Sequence, residues 1–166
     1  MPDMLVNLYA SECSALAEKA NGGSAIIRPA LAPEMHVVVE WVRDHFSDNW
    51  ASEVSVAFSR QPIACLIAVD NGRLLGFACY DTTARGFFGP TGVAPEARGR
   101  GIGHSLFSDC LQTMKTLCHA YAFIGDAWPV DFYKSAVGAI EIPARDKGLY
   151  EGMLRRPKTN PEYGEI

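Results

Sequence analysis

The chain has 166 residues, of which 48% are apolar and 20% are charged, so it can form one ordinary domain with a substantial hydrophobic core. The formal net charge of −4 argues against binding to the phosphate backbone of a nucleic acid. No run of about 18 apolar residues occurs, so no membrane-spanning helix is predicted, and the first residues lack the basic and apolar regions of a signal peptide.

Five cysteines are scattered along the chain without CxxC spacing. An odd number of unclustered cysteines favours neither a disulfide framework nor a zinc site. Most of them lie in apolar runs, so we expect small buried side chains, a reducing cytoplasmic setting and no bound metal. They are Cys13, Cys65, Cys79, Cys110 and Cys118.

The N-terminal part of the chain is predicted to contain two strands and three helices. In chain order these are a strand at 4–10, a helix at 11–20, a strand at 25–31 and helices at 33–46 and 48–60. The helix at 11–20 is followed by the run Asn-Gly-Gly-Ser, which is typical of a helix stop.

A β-hairpin and a third strand are predicted next. The apolar run at 63–69 is typical of a buried strand, and the "DNGR" after it favours a tight turn because Asn and Gly both tolerate positive φ. The returning strand is 74–80 and the third strand is 86–93. That third strand contains two internal glycines and a proline, which predict a bulge or the close approach of another molecule to the backbone.

The C-terminal half completes an α+β pattern. It is predicted to contain a helix at 101–119, a strand at 120–126, a short helix at 129–137, strands at 139–143 and 148–154, and a polar tail at 155–166. Apolar residues recur at helical spacing along the first helix, which leaves Ser105, Asp109, Gln112 and Lys115 for solvent. We therefore predict one domain over 1–166, with a single mixed, mostly antiparallel sheet of about six to seven strands flanked by helices.

The stretch "GVAPEARGRGIG" at 92–103 combines glycines and arginines just before the long helix. Glycine permits unusual backbone angles and leaves main-chain N–H groups accessible, and the first turn of a helix adds further N–H groups and the positive end of its dipole. Such an arrangement binds phosphate or pyrophosphate, and Arg98 and Arg100 would add charge-assisted hydrogen bonds. We expect a phosphorylated ligand here.

Two common nucleotide-binding loops are disfavoured at this position. The stretch lacks the Gly-Lys-Ser/Thr of a Walker loop, and its glycines follow a hairpin rather than the first strand of a βαβ unit, which a Rossmann turn requires. A nucleotide-dependent oxidoreductase and a glycine-rich helix cap with solvated arginines stay open as alternatives.

The stretch "VAPEARGRGIG" at 93–103 resembles the acetyl-CoA signature of the GCN5-related N-acetyltransferase (GNAT) family. The family pattern is Val-x-Pro-x-x-Arg/Gln-x-x-Gly-x-Gly/Ala, and its fixed positions are met by Val93, Pro95, Arg98, Gly101 and Gly103. The order of the elements over 62–152 is similar as well, whereas residues 1–60 are similar only in outline.

The resemblance implies a GNAT-like fold with a CoA-binding core at 62–152 and an acceptor side formed by 1–60. The strands at 86–93 and 120–126 would diverge, the pantetheine arm would lie between them, and the pyrophosphate would lie on the amides that follow. The residues that the resemblance assigns to acetyl-CoA are Thr91, Gly92, Val93, Arg98, Gly99, Arg100, Gly101, Ile102, Gly103, His104 and Asp126.

A second family motif is similar to the stretch 126–139. Tyr133 matches its tyrosine, for which the resemblance implies the role of general acid toward the departing thiolate of CoA. Asp126 stands where the family has Asn, and Pro129 stands where it has Ala. The loss of the Asn amide would weaken a hydrogen bond to the pantetheine arm.

The resemblance implies an N-acetyltransferase in which an amine attacks the thioester of acetyl-CoA directly, with the Val93 N–H stabilising the oxyanion. The acceptor would be a primary amine on a small molecule or a peptide, with no nucleic acid or membrane as partner, and a homodimer is compatible with the family. A non-catalytic acyl-CoA sensor or structural module with the same fold is the alternative function. The base is open among Glu34, Glu40, Glu96, Asp126 and Asp131.

Overall fold

A computed structural model of the chain describes residues 1–143 and 148–154. The strands are β1 (Met4–Asn7), β2 (Ile26–Pro29), β3 (Cys65–Asp70), β4 (Arg73–Tyr80), β5 (Phe88–Val93), β6 (Tyr121–Ile124) and β7 (Ile140–Glu141). The helices are α1 (Ser11–Lys19), α2 (Met35–His45), α3 (Asp48–Ser59), α4 (Ile102–Thr116) and α5 (Val130–Val137). Every strand and helix predicted up to residue 143 is present, with ends that differ by a few residues.

Strands β2, β3, β4 and β5 form an antiparallel sheet in that order. The β3–β4 connection turns through Asn71 and Gly72, whose φ angles of 49° and 73° confirm the predicted tight hairpin. Neighbouring residues of a strand face opposite sides of a sheet. Gly76 faces Leu106 of α4, and Phe77 packs against aromatic side chains of α2 and α3. The sheet is therefore a buried layer between α4 and the α2–α3 pair.

The other three strands form a second antiparallel sheet in the order β6-β1-β7. Across the ranges that the structure describes, one parallel bridge between Phe87 and Phe123 joins the two sheets, and the N–H of Phe123 donates to the carbonyl of Gly86 at 2.8 Å. The α+β class is confirmed, but the predicted single sheet is divided into sheets of four and three strands. One hydrophobic core includes buried residues from both.

The strand predicted at 148–154 is wrong, because this segment forms turns. Gly152 has a φ of +74°, which lies outside the β region. The sheet that contains the C-terminal strands β6 and β7 has the N-terminal strand β1 between them, paired with both. The polar tail predicted at 155–166 falls outside the described residues.

The buried side of α4 is wider than predicted. Ser105 was expected to face solvent, but its exposed fraction is 5%. Gly22, in the connection between α1 and β2, lies so close that an added Cβ would be 3.4 Å from the Ser105 Oγ. The N-terminal part of the chain therefore covers the first turn of α4.

Cys13, Cys65, Cys79 and Cys110 are buried, as predicted, whereas Cys118 is exposed. Within residues 1–143 and 148–154, no helix is long and apolar enough to cross a membrane.

Candidate active site

Strand β5 has one paired edge and one open edge. The N–H of Ala94 donates to the carbonyl of Leu75 in β4 at 2.8 Å. Because successive residues of a strand direct their backbone groups to opposite sides, Thr91 and Val93 direct their N–H groups away from β4. Beyond the Phe87 bridge, β6 pairs with β1, and no described strand pairs with this edge of β5. We refer to the gap between β5 and β6 beyond this bridge as the cleft.

The predicted bulge lies in β5 at Gly89 and Pro90. Together these two residues oppose a single residue of β4, where the register shifts between Ala78 and Tyr80. Gly89 has a φ of +119°, which glycine tolerates, and its carbonyl accepts a hydrogen bond of 2.8 Å from the Thr82 Oγ1. The bulge is thus held from outside the strand, close to the start of the cleft.

The glycine turn before α4 presents a row of unpaired amides. Gly99 and Gly101 adopt φ angles of +76° and +79°, and Gly101 is the N-cap residue that directly precedes α4. From Gly99 to His104, the main-chain N–H groups donate to no acceptor in the described residues. These groups and the positive end of the α4 dipole fit a phosphate group.

A cavity of about 390 Å³ adjoins these amides. Gly103 contributes bare backbone to it, and the buried Ile102 also lines it. An added Cβ at Gly103 would lie 3.7 Å from the Cγ2 of Val93, at the end of β5. The cavity is lined by Val93, Ala97, Arg98, Gly99, Gly101, Ile102, Gly103 and His104.

The two arginines of the turn have different partners. The Nε of Arg98 donates to the carbonyl of Val93 at 3.3 Å, and its side chain is exposed beside the cavity. Arg100 forms an ion pair of 3.3 Å with Asp70 and also donates to the Oγ of Ser24. The Arg98 guanidinium therefore has fewer hydrogen-bond acceptors within the protein than the Arg100 guanidinium has.

Two glycines of the proposed acetyl-CoA site are required by close packing. Gly92 contacts the ring of Phe46, where a side chain would collide. Gly101 contacts the main-chain carbonyl of Asn21, so its positive φ and this contact both exclude a side chain. The contact between Gly101 and Asn21 links the glycine turn to a segment that lies about 70 residues earlier in the chain.

Tyr133 of α5 is buried, with 6% of its surface exposed. Its ring packs edge to face on Phe107 and Phe132, with centroid distances of 5.4 and 5.0 Å. Burial raises the pKa of Tyr133 to about 12, so the phenol is protonated near neutral pH. Within the described chain its hydroxyl has no hydrogen-bond partner, which leaves it free to donate a proton to a ligand.

Asp126 is tied to the start of the chain. Its N–H donates to the Oδ1 of Asp3 at 3.0 Å, and its carboxylate lies 3.7 Å from the N-terminal ammonium of Met1. The residue is exposed and adopts a φ of +49°. An anchored, negatively charged side chain here differs from the amide that the family motif carries.

The carboxylates that are candidate bases lie in different environments. Both carboxylate oxygens of Glu34 accept hydrogen bonds from Arg28, at 2.8 and 2.6 Å, and one also accepts from the N–H of Leu31. The Arg28 bond lowers the pKa of Glu34 to about 2, which makes it a weak base. The remaining candidates, Glu40, Glu96 and Asp131, are exposed.

The sequence reasoning missed a carboxylate on α3. Glu53 is half-buried, and its Oε1 accepts a hydrogen bond of 2.5 Å from the Oγ1 of Thr83. Burial raises the pKa of Glu53, and the Thr83 bond offsets part of that rise. The sequence did contain a signal for this residue. Glu53 lies one turn after Trp50 and one turn before the buried Ala57, and carboxylates are rare on the packed side of a helix.

Tyr150 also approaches this region from the C-terminal segment. Its hydroxyl contacts Gly125, where an added Cβ would lie 3.2 Å from the Phe87 ring. Burial and then the negative charge of Glu53 raise the pKa of Tyr150. Residues from three distant parts of the chain thus meet near the point where β5 and β6 separate.

The sequence profile of the acetyltransferase (GNAT) family matches residues 33–138, more than half of the chain. The chain therefore belongs to this family. No curated protein matches the sequence. Within the described ranges no cluster of three or more potential metal ligands occurs.

Solved structures show the same fold at low sequence identity. They are the glucosamine N-acetyltransferase region of a fungal multi-domain β-N-acetylglucosaminidase (TM-score 0.63, 15% identity), a Drosophila protein (0.55, 14%) and a functionally unknown conserved protein from Staphylococcus epidermidis (0.54, 17%). Each match covers 85% of this chain but only 19%, 47% and 57% of the respective solved chains. This chain thus spans between a fifth and somewhat over half of their lengths.

Proposed function

We propose that this protein is an N-acetyltransferase that transfers the acetyl group of acetyl-CoA to a primary amine of a small molecule or a peptide. The observation that carries the proposal is the row of unpaired amides from Gly99 to His104, which lies beside the open edge of β5. Membership of the acetyltransferase family supports it and does not favour a non-catalytic sensor.

The binding roles follow from the backbone. The outward N–H groups of Thr91 and Val93 are suited to pair with the amides of a pantetheine arm, as a further strand would. The amides of Gly99 to His104 suit the pyrophosphate, and Arg98 is the nearer source of positive charge. Arg100, held by Asp70, contributes mainly to the shape of the turn.

The thioester of acetyl-CoA supplies the activated acyl group. The Tyr133 hydroxyl, which is protonated at neutral pH, donates its proton to the departing sulfur.

Glu53 is the base that we propose for the acceptor amine. A lysine-like amine has a pKa of about 10.4 and must lose a proton before it attacks. Thr82 holds the Gly89 carbonyl in the bulge, and the adjacent Thr83 holds Glu53, so this carboxylate is fixed next to the start of the cleft. Its raised pKa makes it a stronger base than Glu34.

The direct test is an assay of thiol release from acetyl-CoA with a panel of primary amines, together with mass spectrometry of each amine. We expect release that depends on the amine and an acetylated product. CoA binding without release for any amine would support the non-catalytic module instead. Binding of NAD but not of CoA would support the oxidoreductase alternative.

A further inference from the structure

A cavity of about 300 Å³ lies at the opposite end of β4 from the glycine turn. Near that turn, Gly76 of β4 pairs with Val93. Tyr80 lies four residues, or about 13 Å, further along β4, where it pairs with Phe88 and lines this cavity. Among the described residues, none lines both this cavity and the cavity at the glycine turn, so the two are separate. The lining residues are Ser59, Arg60, Gln61, Pro62, Ala64, Tyr80, Asp81, Arg85 and Leu117.

Two arginine side chains at this cavity have unused hydrogen-bond donors. Arg60, which directly follows α3, is half-buried, and its Nε donates to the carbonyl of Asp81 at 3.0 Å. This bond fixes the side chain, while the two terminal nitrogens of the guanidinium have no acceptor in residues 1–143 and 148–154. Arg85 is exposed, and its guanidinium has no acceptor in the same ranges. Both arginines are therefore able to bind a further acceptor.

The carboxylate in the lining is already engaged by other groups. The Oδ1 of Asp81 accepts a hydrogen bond of 2.6 Å from the N–H of Gly86, and its Oδ2 lies 3.0 Å from the Nε2 of His119. At the end of α3, the carbonyl of Ala57 accepts from the N–H of Ala64 at 3.0 Å. Two guanidinium groups against one carboxylate leave the lining with an excess positive charge.

A buried tyrosine supplies a third donor. Only 3% of the surface of Tyr80 is exposed, and its hydroxyl has no hydrogen-bond partner in the described part of the chain. Every fully buried side-chain oxygen or nitrogen in that part has a partner, so the Tyr80 hydroxyl is accessible, and the cavity that Tyr80 lines provides the access. Burial raises the pKa of Tyr80 to about 12, so the hydroxyl keeps its proton at neutral pH and can donate it in a hydrogen bond.

We propose that this cavity binds the carboxylate or phosphate group of a small anionic molecule, held between Arg60 and Arg85 with the Tyr80 hydroxyl as a third donor. Each planar guanidinium can donate to two oxygens of such a group at once. Pro62 and Leu117 add apolar surface that a short hydrocarbon chain on the ligand can cover. The inference goes beyond the proposed function and does not depend on acetyl-CoA, because the cavity is separate from the glycine turn.

The test is an NMR titration of ¹⁵N-labelled protein with butyrate and, separately, with methyl phosphate, in which the Nε–Hε signals of the arginines are followed. The signals of Arg60 and Arg85 should shift together, with a dissociation constant on the order of 1 mM for so small a ligand. Saturation by butyrate alone would identify the ligand group as a carboxylate, and saturation by methyl phosphate alone would identify it as a phosphate. Either result supports the site.

Three variants assign the binding to this cavity. Arg85→Gln should weaken binding at least about tenfold, and the fold should be intact because Arg85 is exposed and has no partner in the described ranges. Tyr80→Phe removes only the hydroxyl and should weaken binding severalfold. The control Arg73→Gln removes a positive charge from the exposed β3–β4 turn and should leave the dissociation constant unchanged.

Two results would overturn the inference. One is the absence of a saturable shift at Arg60 and Arg85 with both ligands. The other is a dissociation constant in Arg85→Gln equal to that of the unmodified protein, which would place the binding elsewhere, for example at the glycine turn. Neither result bears on the proposed function, which is decided by thiol release from acetyl-CoA, and absence of thiol release would leave this site standing.

Discussion

The imidazole of His104 meets the ring of Phe132 edge to face, with their centroids 4.7 Å apart. Phe132 in turn packs on Tyr133 at 5.0 Å. His104 belongs to the row of amides at the start of α4, and Tyr133 is the proposed acid on α5. The helix that we propose to bind phosphate and the helix that carries the proposed acid are thus in direct aromatic contact.

Phe132→Leu is expected to weaken this contact. Aromatic pairs contribute about 1 kcal/mol beyond their buried area, so the free energy of unfolding should fall by about that amount. Turnover should also fall severalfold, because Tyr133 loses a packing partner. Urea unfolding and steady-state kinetics measure the two effects. The control Phe132→Tyr keeps an aromatic ring, so its unfolding free energy and its turnover should stay close to those of the unmodified protein. Full stability and full turnover in Phe132→Leu would show that the contact has no such role.

Gly103→Val is expected to block the cavity at the glycine turn with little cost to the fold. Gly103 lies in the first turn of α4 without a positive φ, and an added Cβ meets only Val93 at 3.7 Å. The dissociation constant of CoA should rise at least about tenfold, while the unfolding free energy should change by less than about 1 kcal/mol. Gly148→Ala, at a position with open space, is the control. Unchanged CoA affinity would mean that the phosphate lies elsewhere.

Tyr133→Phe is expected to lower turnover while CoA affinity stays nearly constant. The substitution keeps the ring that packs on Phe107 and Phe132 and removes only the hydroxyl. Calorimetry of CoA binding and the rate of thiol release separate the two quantities. Turnover equal to that of the unmodified protein would remove Tyr133 from the mechanism.

Glu53 should determine the acid limb of the pH–rate profile. A base must be ionised, so activity should fall as pH drops through the raised pKa of Glu53. Glu53→Gln should abolish this limb and reduce turnover by about a hundredfold or more. Because the Thr83 bond lowers the pKa of Glu53, Thr83→Val should move the limb to higher pH. Glu40→Gln, on the exposed side of α2, is the control, and an unchanged profile in Glu53→Gln would refute the assignment.

The Arg28–Glu34 pair should stabilise the protein at neutral pH and not in strong acid. The Arg28 bond lowers the pKa of Glu34 from 4.5 to about 2 in the folded state. The stabilisation is therefore complete above about pH 4.5, the ordinary value, and is lost as pH falls toward 2. About a third of each side chain is exposed, so we expect only about 1 kcal/mol at pH 7. Urea unfolding of Glu34→Gln should show this deficit at pH 7 and a smaller one near pH 3.

Local patterns in the sequence determined the elements and the glycine turn before α4. The Asn-Gly pair, the apolar spacing of α4 and the glycines before it each act over a few residues, so the hairpin, the helix and the turn were predictable. Only the tertiary structure decided which distant residues meet. Arg100 and Asp70 are 30 positions apart, as are Thr83 and Glu53. The position of β1 between β6 and β7 and the contact of Asn21 with Gly101 likewise depend on packing between segments far apart in the chain, which no local pattern specifies.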